Sequence, residues 1–303
     1  MSRIHDALKK AAEEKTSRGA AGIASDYFDV EGELHRPELM IEAAQAVVQR
    51  DAQQLGSPSP VRFEELLKRC SHPTWSPGTR INVFNDEENK KNGAECFRTL
   101  RSRLHQIAGT RTLKRILVTS SIPAEGKTFV TANLAQSITR QPDRRVLAID
   151  ADLRASRLHL QFGAPATPGL TEYLKGETDE YSVIQDGAAG KLCLIPGGCE
   201  VANPSELLLS ERMKRLLDLV TPLFDFVILD SPPTVPVHDA SLLADLCDGT
   251  LLVVRAGVTD FEIASRAAVG FEGKNLLGVV LNGVGPEATY GKYYTNYYGS
   301  SDE

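Results

Sequence analysis

From residue 115 onward, short apolar runs alternate with stretches of helical periodicity, and this alternation restricts the possible folds more than any other feature of the sequence. The runs are apolar throughout, which is typical of strands covered on both faces. Strands of that kind, separated by helices, form a parallel sheet with a helical layer on each side. The pattern therefore predicts a doubly wound, mostly parallel α/β domain, with strand-like runs RILVTS, RRVLAID, LCLIPGG, FDFVILD, TLLVVRA and LLGVVLN.

The composition of the 303 residues narrows the class of protein. A formal net charge of −6 argues against a nucleic-acid partner that needs a large basic surface. No apolar run approaches the roughly 20 residues that a membrane-spanning helix needs, and the N-terminus lacks the apolar segment of a signal peptide. The five cysteines are scattered without a CxxC pair, so the reduced thiols of a cytoplasmic protein are expected.

Three regions are predicted along the chain. Residues 1–80 contain two short helical patterns and the linker-like segments GSPSP and SPGT, which favours a helical appendage. Residues 81–287 carry the α/β pattern. Residues 288–303 have no core-forming pattern and are expected to form a flexible tail.

The run RILVTS leads directly into SSIPAEGKT, and a helical pattern follows at once. A strand, a tight loop ending in Gly-Lys-Thr and a helix N-terminus can cradle phosphates, because backbone N–H groups and the helix dipole face the anion. In such a P-loop, Lys127 reaches the β- and γ-phosphates and the Thr128 hydroxyl binds Mg²⁺. Ser121 departs from the usual pattern, since it occupies the first glycine position. ATP and Mg²⁺ are therefore the expected cofactors.

Three aspartates follow two of the other apolar runs. Asp150 and Asp152 come after VLAI, and Asp230 comes after FVIL. In open α/β sheets the ligand crevice lies at the carboxyl ends of the strands, so these ends should converge on the phosphate loop. Mg²⁺ prefers hard oxygen ligands and keeps several waters, so one hydroxyl and one or two carboxylates suffice to hold it.

At this point the motifs resemble those of a known family. SSIPAEGKT, VLAIDADLR and FDFVILDSPP are similar to the Walker A, Walker A′ and Walker B motifs of the bacterial tyrosine kinases (BY-kinases), and the resemblance covers about residues 92–298. It implies a Min/Par-like P-loop NTPase fold and an ATP-dependent protein-tyrosine autokinase. Because that family regulates capsular and exopolysaccharide biosynthesis and export, the same role is expected here.

The resemblance also implies roles for individual residues. Lys127 would neutralise the transferred phosphate, and Asp150 would accept the proton of the attacking tyrosine, with Asp152 and Asp230 completing the catalytic set. An aspartate is a weak base for a phenol of pKa about 10, so Asp150 is expected mostly to orient the tyrosine. Thr128, Asp152 and Asp230 would hold the metal. The expected nucleotide-binding residues are Ser121, Pro123, Ala124, Glu125, Gly126, Lys127, Thr128, Phe129 and, near the adenine, Asn282.

Two positions depart from the family pattern. Ala124 stands where the family loop usually has glycine. If this position requires a positive φ, alanine costs about 1 kcal/mol and nucleotide affinity is expected to fall. Ser156 stands where the family often has proline, although Arg154 and His159 remain. Neither change removes a group with an implied catalytic role.

The tyrosines are concentrated at the end of the chain, where five of the eight fall in the last fourteen residues. The BY-kinase family typically carries a C-terminal tyrosine cluster that neighbouring subunits phosphorylate. Tyrosines in a mobile tail have no core to fill, so autophosphorylation in trans is expected, with a segment that packs on a partner as the alternative. The cluster consists of Tyr290, Tyr293, Tyr294, Tyr297 and Tyr298.

The segment ECFRTLR resembles the family's ExxRxxR assembly motif at Glu95, Arg98 and Arg101. At i, i+3 and i+6 of a helix these residues share a face, which the resemblance makes a subunit interface of a ring-like homo-oligomer. The family's transmembrane activator, of the polysaccharide chain-length-regulator type, is fused to the kinase in some members and separate in others. With no membrane span in this sequence, a separate activator is expected to recruit the chain to the inner face of the cell membrane.

Two other functions use the same fold. Min/Par-type ATPases position partners without transferring phosphate to protein, and their loop normally carries a further lysine where this chain has Ile122. A non-catalytic scaffold that binds nucleotide is the second alternative. The absence of that lysine and the tyrosine-rich tail favour the kinase over the first alternative, and the complete set of Lys127, Thr128 and three aspartates argues against the second.

Overall fold

The computed structural model describes residues 62–78, 83–84, 90–187, 190–235, 237, 239–271, 273 and 275–284. The chain divides into two compact units, Met1–Pro58 and Ser59–Glu303, and the described residues belong to the second. The helical patterns predicted near the N-terminus and the tyrosine-rich tail both lie outside the described residues.

The described strands form one seven-stranded sheet, in the spatial order β3-β4-β2-β5-β1-β6-β7. All neighbouring strands are parallel except β3 and β4. This confirms the predicted doubly wound, mostly parallel α/β fold. The strands are β1 Arg115–Ser120, β2 Val146–Asp150, β3 Gln185–Asp186, β4 Leu192–Ile195, β5 Phe226–Asp230, β6 Gly249–Arg255 and β7 Leu276–Asn282.

Helices connect the parallel strands, as crossover connections between such strands require. Two of them, α4 and α5, end at glycines with left-handed backbone, which lets the chain turn sharply back towards the sheet. The described helices are α1 Phe63–Arg69, α2 Lys90–Ala108, α3 Lys127–Thr139, α4 Leu158–Phe162, α5 Leu170–Lys175, α6 Pro204–Leu208, α7 Glu211–Val220, α8 Asp239–Ala244 and α9 Phe261–Val269.

Strands β1, β2, β4 and β5 are buried on both faces, which explains why they are mostly apolar, whereas the edge strand β7 is partly exposed. On β1, Leu117 packs into one hydrophobic cluster, whereas Ile116 and Val118 pack into the cluster on the other face. Successive strand residues point to opposite faces, so a strand with two covered faces has no position that faces water. All five residues of β2 and of β5 are buried, including the aspartates that end them.

Helix α1 lies ahead of the predicted boundary at residue 80 and packs into the core of the second unit. Phe63 and Leu66 are buried, and the Phe63 ring meets the Phe224 ring edge-to-face at 5.4 Å. Beyond α1, Ser71 forms a parallel β-bridge to Gln185 at the β3 edge of the sheet. Residues 62–71 are therefore part of the α/β unit's structure.

The strand order brings the predicted motifs together. Strands β2, β5 and β1 are adjacent, so the two acidic strand ends lie beside the loop that follows β1. Asp150 and Asp230 are direct neighbours in the register of β2 and β5. None of the helices in the described part of the chain is long and apolar enough to cross a membrane.

Candidate active site

The loop between β1 and α3 depends on two positions with left-handed backbone. Gly126 has a φ of +94°, and a Cβ atom there would lie 2.1 Å from the side-chain nitrogen of Asn282. Glycine is required at this position on both conformational and steric grounds. Ala124 has a φ of +66°, so this position does require a positive φ. Alanine there costs about 1 kcal/mol relative to glycine.

Glu125 fastens the loop to the ends of β6 and β7. The residue is only 1% exposed. Its Oε2 accepts a hydrogen bond from the Ile122 N–H at 2.7 Å, and its Oε1 accepts from the Arg255 N–H at 3.2 Å and from the Thr259 hydroxyl. The Asn282 side-chain amide donates to the Glu125 carbonyl oxygen at 2.8 Å. Glu125 and Asn282 thus shape the loop, and contact between Asn282 and adenine stays a prediction.

Lys127, the first residue of α3, points at the two predicted metal ligands. Its Nζ lies 2.7 Å from Asp152 Oδ2 and 3.9 Å from Asp230 Oδ2, and its side chain is 12% exposed. Burial opposes the lysine's charge, but the surrounding carboxylates, Asp230 and Asp152 foremost, raise its pKa above the ordinary value. Lys127 therefore stays protonated and can exchange a carboxylate partner for a phosphate.

Asp230 carries a buried oxygen that accepts no hydrogen bond from the part of the chain that the structure describes and has only a long ion-pair contact with Lys127. The hydroxyl of Thr131 lies 3.4 Å from Oδ1, whereas Oδ2 accepts no hydrogen bond within the described residues. Burial raises the pKa of Asp230 to about 6, although Lys127 opposes the shift. A buried carboxylate oxygen without a donor is costly, unless a cation occupies the adjacent space.

Asp150 does not line the pocket, and its carboxylate bonds to its own loop. Its Oδ1 accepts from the Asp152 N–H at 3.2 Å, and its Oδ2 accepts from the Ser156 hydroxyl at 2.7 Å and from the Leu158 N–H at 2.9 Å. Burial, and then the charge of Asp230, raise the pKa of Asp150 to about 7. In this structure Asp150 organises the loop after β2, and Ser156 supplies a hydrogen bond that proline could not.

The donor set suits Mg²⁺. Thr128 and Asp152 line the pocket, and Asp230 presents its unpartnered oxygen beside Lys127. No group of three or more His, Cys, Asp and Glu side chains that could hold a metal occurs among the described residues. The coordination would therefore be completed by the Thr128 hydroxyl, phosphate and water, which is how Mg²⁺ commonly binds in nucleotide sites.

A pocket of about 660 Å³ opens in front of the phosphate loop, and this volume is typical of sites that enclose a small molecule. Three segments form its walls: the loop and the start of α3, the segment after β2, and the segment after β5. Asp150 and Asn282 do not line it. The lining residues are Pro123, Ala124, Gly126, Lys127, Thr128, Phe129, Asp152, Arg154, Ala155, Arg157, Gln161, Pro232, Pro233 and Val237.

Arg154 ties the wall after β2 to helix α8. Its Nε donates to Asp239 Oδ2 at 2.7 Å, and its Nη2 donates to the Ser205 hydroxyl at 3.1 Å. Asp239 is 2% exposed, so the ion pair satisfies a buried carboxylate. Asp239 was not identified from the sequence, where it reads as an ordinary acidic residue in the first turn of a helix.

The three residues of the predicted assembly motif do not act together within α2. Arg98 Nη1 lies 2.9 Å from Glu95 Oε2, and about half of each side chain is exposed. Arg101 instead turns towards α3 and donates to the Ser137 carbonyl oxygen at 2.7 Å. Glu95 and Arg98 are available at the surface, whereas Arg101 supports helix packing in its own chain.

Comparisons with known proteins support the motifs. The family model of an AAA domain matches residues 114–256. The tyrosine-protein kinase YwqD of Bacillus subtilis is 35% identical over 231 residues, which are 74% of this chain and 95% of that protein. The tyrosine-protein kinase CpsD of Streptococcus agalactiae is 33% identical, with 74% and 98% covered. Etk of Escherichia coli K12 is 38% identical over 63% of this chain, but the match spans only 26% of that protein.

Solved structures give the same answer for the fold. The kinase domain of Escherichia coli Etk matches with a TM-score of 0.63 and 31% identity, over 76% of this chain and 95% of that domain. The chimerical protein CapA2B2 matches with a TM-score of 0.61 and 26% identity, over 72% and 97%. Pyrococcus horikoshii MinD, with a TM-score of 0.50 and 21% identity over 59% and 76%, shares the fold alone.

YwqD and CpsD are each more than 30% identical to this chain and are matched over almost their full lengths. The resemblance noted in the sequence is thereby confirmed. The chain belongs to the family of bacterial tyrosine-protein kinases.

Proposed function

We propose that this chain uses Mg²⁺ and ATP to phosphorylate its own C-terminal tyrosines in trans, and that it thereby regulates capsular or exopolysaccharide biosynthesis and export. The observation that carries the proposal is the group formed by Lys127, Asp152 and Asp230 at the mouth of a phosphate loop, with an unpartnered carboxylate oxygen. A lysine and two carboxylates in this arrangement can bind a phosphate and a metal ion side by side.

The chain's own residues would divide the work as follows. Mg²⁺, when bound, would supply positive charge that offsets the charge developing on the phosphates. Thr128, Asp152 and Asp230 would hold the ion, and this would free Lys127 to place its ammonium on the β- and γ-phosphates. The N–H groups at the start of α3 face the same anion. Catalysis of this kind is mostly positioning and charge neutralisation.

In the transfer step, the tyrosine oxygen forms a bond to the γ-phosphorus and the bond from that phosphorus to the β,γ-bridging oxygen breaks. ADP leaves with the bond's electron pair, and the hydroxyl proton passes to a carboxylate. Asp150 was expected to accept this proton, but three donors now occupy its oxygens, and Asp152 is the carboxylate that lines the pocket. This supports an orienting role for Asp150, acting through the loop that carries Asp152.

The proposal also includes the assembly of this chain into a homo-oligomer and its recruitment to the membrane. The exposed Glu95–Arg98 pair could re-pair across a subunit contact of a ring-like homo-oligomer, which would present each tail to a neighbouring pocket. A separate transmembrane activator would hold this cytoplasmic assembly at the inner face of the membrane.

Because Arg101 already bonds within its own chain, Arg98→Ala is the cleaner test of the interface. Light scattering should show a smaller species for Arg98→Ala, whereas Arg266→Ala, which removes another exposed helical ion pair, should assemble normally.

Phosphorylation in trans can be tested by mixing two versions of the chain. Wild-type protein and a mass-tagged Lys127→Met variant are incubated together with Mg²⁺ and ATP, and their tail peptides are analysed by mass spectrometry. Phosphate on the tagged, inactive chain supports transfer between subunits. Phosphate confined to wild-type chains contradicts it, and ADP formation without any protein modification would favour a Min/Par-type ATPase.

A further inference from the structure

The pocket extends well to one side of the phosphate loop. In the sheet, β2 and β5 lie on one side of β1, and β6 and β7 lie on the other. The pocket is walled by the segments after β2 and β5, whereas Asn282, at the end of β7, does not line it. The space beyond the phosphate loop is therefore on the side opposite the predicted adenine position, where an acceptor side chain could approach the γ-phosphate.

The walls of this space are apolar, whereas its edge carries a positive charge. Pro232, Pro233 and Val237 supply apolar surface from the segment after β5, and Ala155 supplies more from the segment after β2. Flat apolar walls of this kind suit an aromatic ring. The edge of the space carries Arg157, which precedes the first turn of α4.

Arg157 differs from the other cations of the pocket. Lys127 is paired with Asp152, and Arg154 is paired with Asp239 and Ser205. The exposed Arg157 side chain has no hydrogen bond, ion pair or ring contact within the residues that the structure describes. Its planar guanidinium, which suits phosphate and carboxylate groups, is thus available at the rim.

We propose that Arg157 binds an anionic group next to the acceptor tyrosine, so that a tyrosine beside an already phosphorylated tyrosine is the preferred substrate. This inference rests on the proposed function. The tail contains two adjacent pairs, Tyr293–Tyr294 and Tyr297–Tyr298. The Cα atoms of adjacent residues are only about 3.8 Å apart. When one ring of a pair enters the apolar space, its neighbour therefore stays outside but within reach of the rim.

The charges match this arrangement. A phosphotyrosine carries about −1.5 to −2 charges and three acceptor oxygens, which an arginine can bind in a bidentate manner. The first phosphate of a pair would thus increase the affinity for the second tyrosine. Phosphorylation of a pair would then tend to go to completion.

Binding can be measured without turnover by omitting ATP. Fluorescent peptides with the sequence GKYYTNYYG are prepared unmodified, or with phosphate on the first tyrosine of each pair, and titrated with the full chain. We expect the phosphorylated peptide to bind about threefold to fivefold more tightly, as for a partly exposed ion pair. Arg157→Gln should remove this preference and Arg157→Lys should keep part of it, whereas Arg266→Gln should leave it unchanged.

Transfer within the full chain gives a second measurement. After partial reaction with Mg²⁺ and ATP, doubly phosphorylated pairs should exceed the product of the single-site frequencies in wild type, but not in Arg157→Gln. Equal binding of the two peptides by wild type, or an unchanged preference in Arg157→Gln, would overturn the inference. Weaker ATP binding by Arg157→Gln would also overturn it, because the arginine would then belong to the nucleotide site. A binding preference without any transfer would instead contradict the proposed function.

Discussion

The phosphate loop lies between two different environments. Towards β6 and β7, Glu125 accepts three hydrogen bonds and Asn282 fills the space left by Gly126. Towards β2 and β5, Lys127 shares two carboxylates, and an oxygen of Asp230 is left without a donor. The first side keeps the loop's shape, while the second side is incomplete and free to accept ligands. Substitutions on the first side should therefore lower mainly the stability of the fold, and substitutions on the second side should lower mainly the activity.

Lys127→Met should give the largest effect on activity. It removes the positive charge that faces the phosphates, so tyrosine phosphorylation should fall by at least about a hundredfold. The circular dichroism spectrum should remain that of the wild type, because the rest of the loop keeps its hydrogen bonds. Lys214→Met, on the exposed surface of α7, is the matched control and should retain normal phosphorylation in the same assay. A normal rate in a folded Lys127→Met protein would remove this lysine from the mechanism.

Glu125→Ala should give the largest effect on stability. It leaves the Ile122 N–H and the Thr259 hydroxyl without their carboxylate acceptor, while the Arg255 N–H keeps only its longer bond to the Thr259 hydroxyl at 3.3 Å. Unmet buried donors of this kind cost about 2–4 kcal/mol in total, which urea denaturation can measure. Glu211→Ala, which removes an exposed glutamate, should change the free energy of unfolding by less than about 0.5 kcal/mol. Equal losses in the two variants would show that Glu125 does not brace the loop.

Asp230→Asn should stabilise the metal-free protein while it abolishes Mg²⁺-dependent transfer. The folded pKa of Asp230, about 6, lies above the ordinary 3.8, so its ionised form destabilises the fold as pH rises between these values. At pH 7.5 in EDTA, the variant should unfold a few degrees higher, equivalent to about 1 kcal/mol. The difference should shrink below pH 4, where the carboxyl is protonated in both states. A lower melting temperature at pH 7.5 would mean that the Lys127 interaction outweighs burial.

Ala124→Gly should give the smallest effect, a modest gain in nucleotide affinity. Glycine removes the cost of about 1 kcal/mol that alanine pays at a φ of +66°, so the dissociation constant for ADP should fall about threefold to fivefold. Isothermal titration calorimetry can resolve this change. Ala155→Gly, which lines the same pocket without a positive φ, should not improve affinity. Unchanged affinity together with an unchanged free energy of unfolding in Ala124→Gly would show that the alanine is not strained.

The sequence predicted the parts of the site that repeat a local pattern. Apolar runs and a Gly-Lys-Thr loop predicted the sheet, Lys127 and the acidic ends of β2 and β5, because strand order alone brings these residues together. It did not predict the partners of Glu125 on β6 and beyond, since such contacts join residues about 130 positions apart. Nor did it predict that Asp150 faces its own loop, because rotamer and loop geometry decide where a carboxylate points.

The role of Ser156 shows why a departure from a family pattern has to be examined in the fold. In the sequence, Ser156 is notable only because the family often has proline at this position. In the structure its hydroxyl holds Asp150 Oδ2, and a side chain at Gly197 would collide with it at 2.5 Å. Contacts between three separate segments decide this arrangement, and no local pattern encodes them.

The central claim is that the incomplete side of the loop transfers phosphate from ATP to the tyrosines of this chain. It is tested by intact mass spectrometry of the 303-residue chain after incubation with Mg²⁺ and ATP, followed by peptide mapping. We expect a ladder of mass increments of one phosphate each, located in the peptide that contains residues 290–298 and absent from Lys127→Met. ADP formation with an unchanged mass, or phosphate located mainly on Tyr27, Tyr173 or Tyr181, would contradict it.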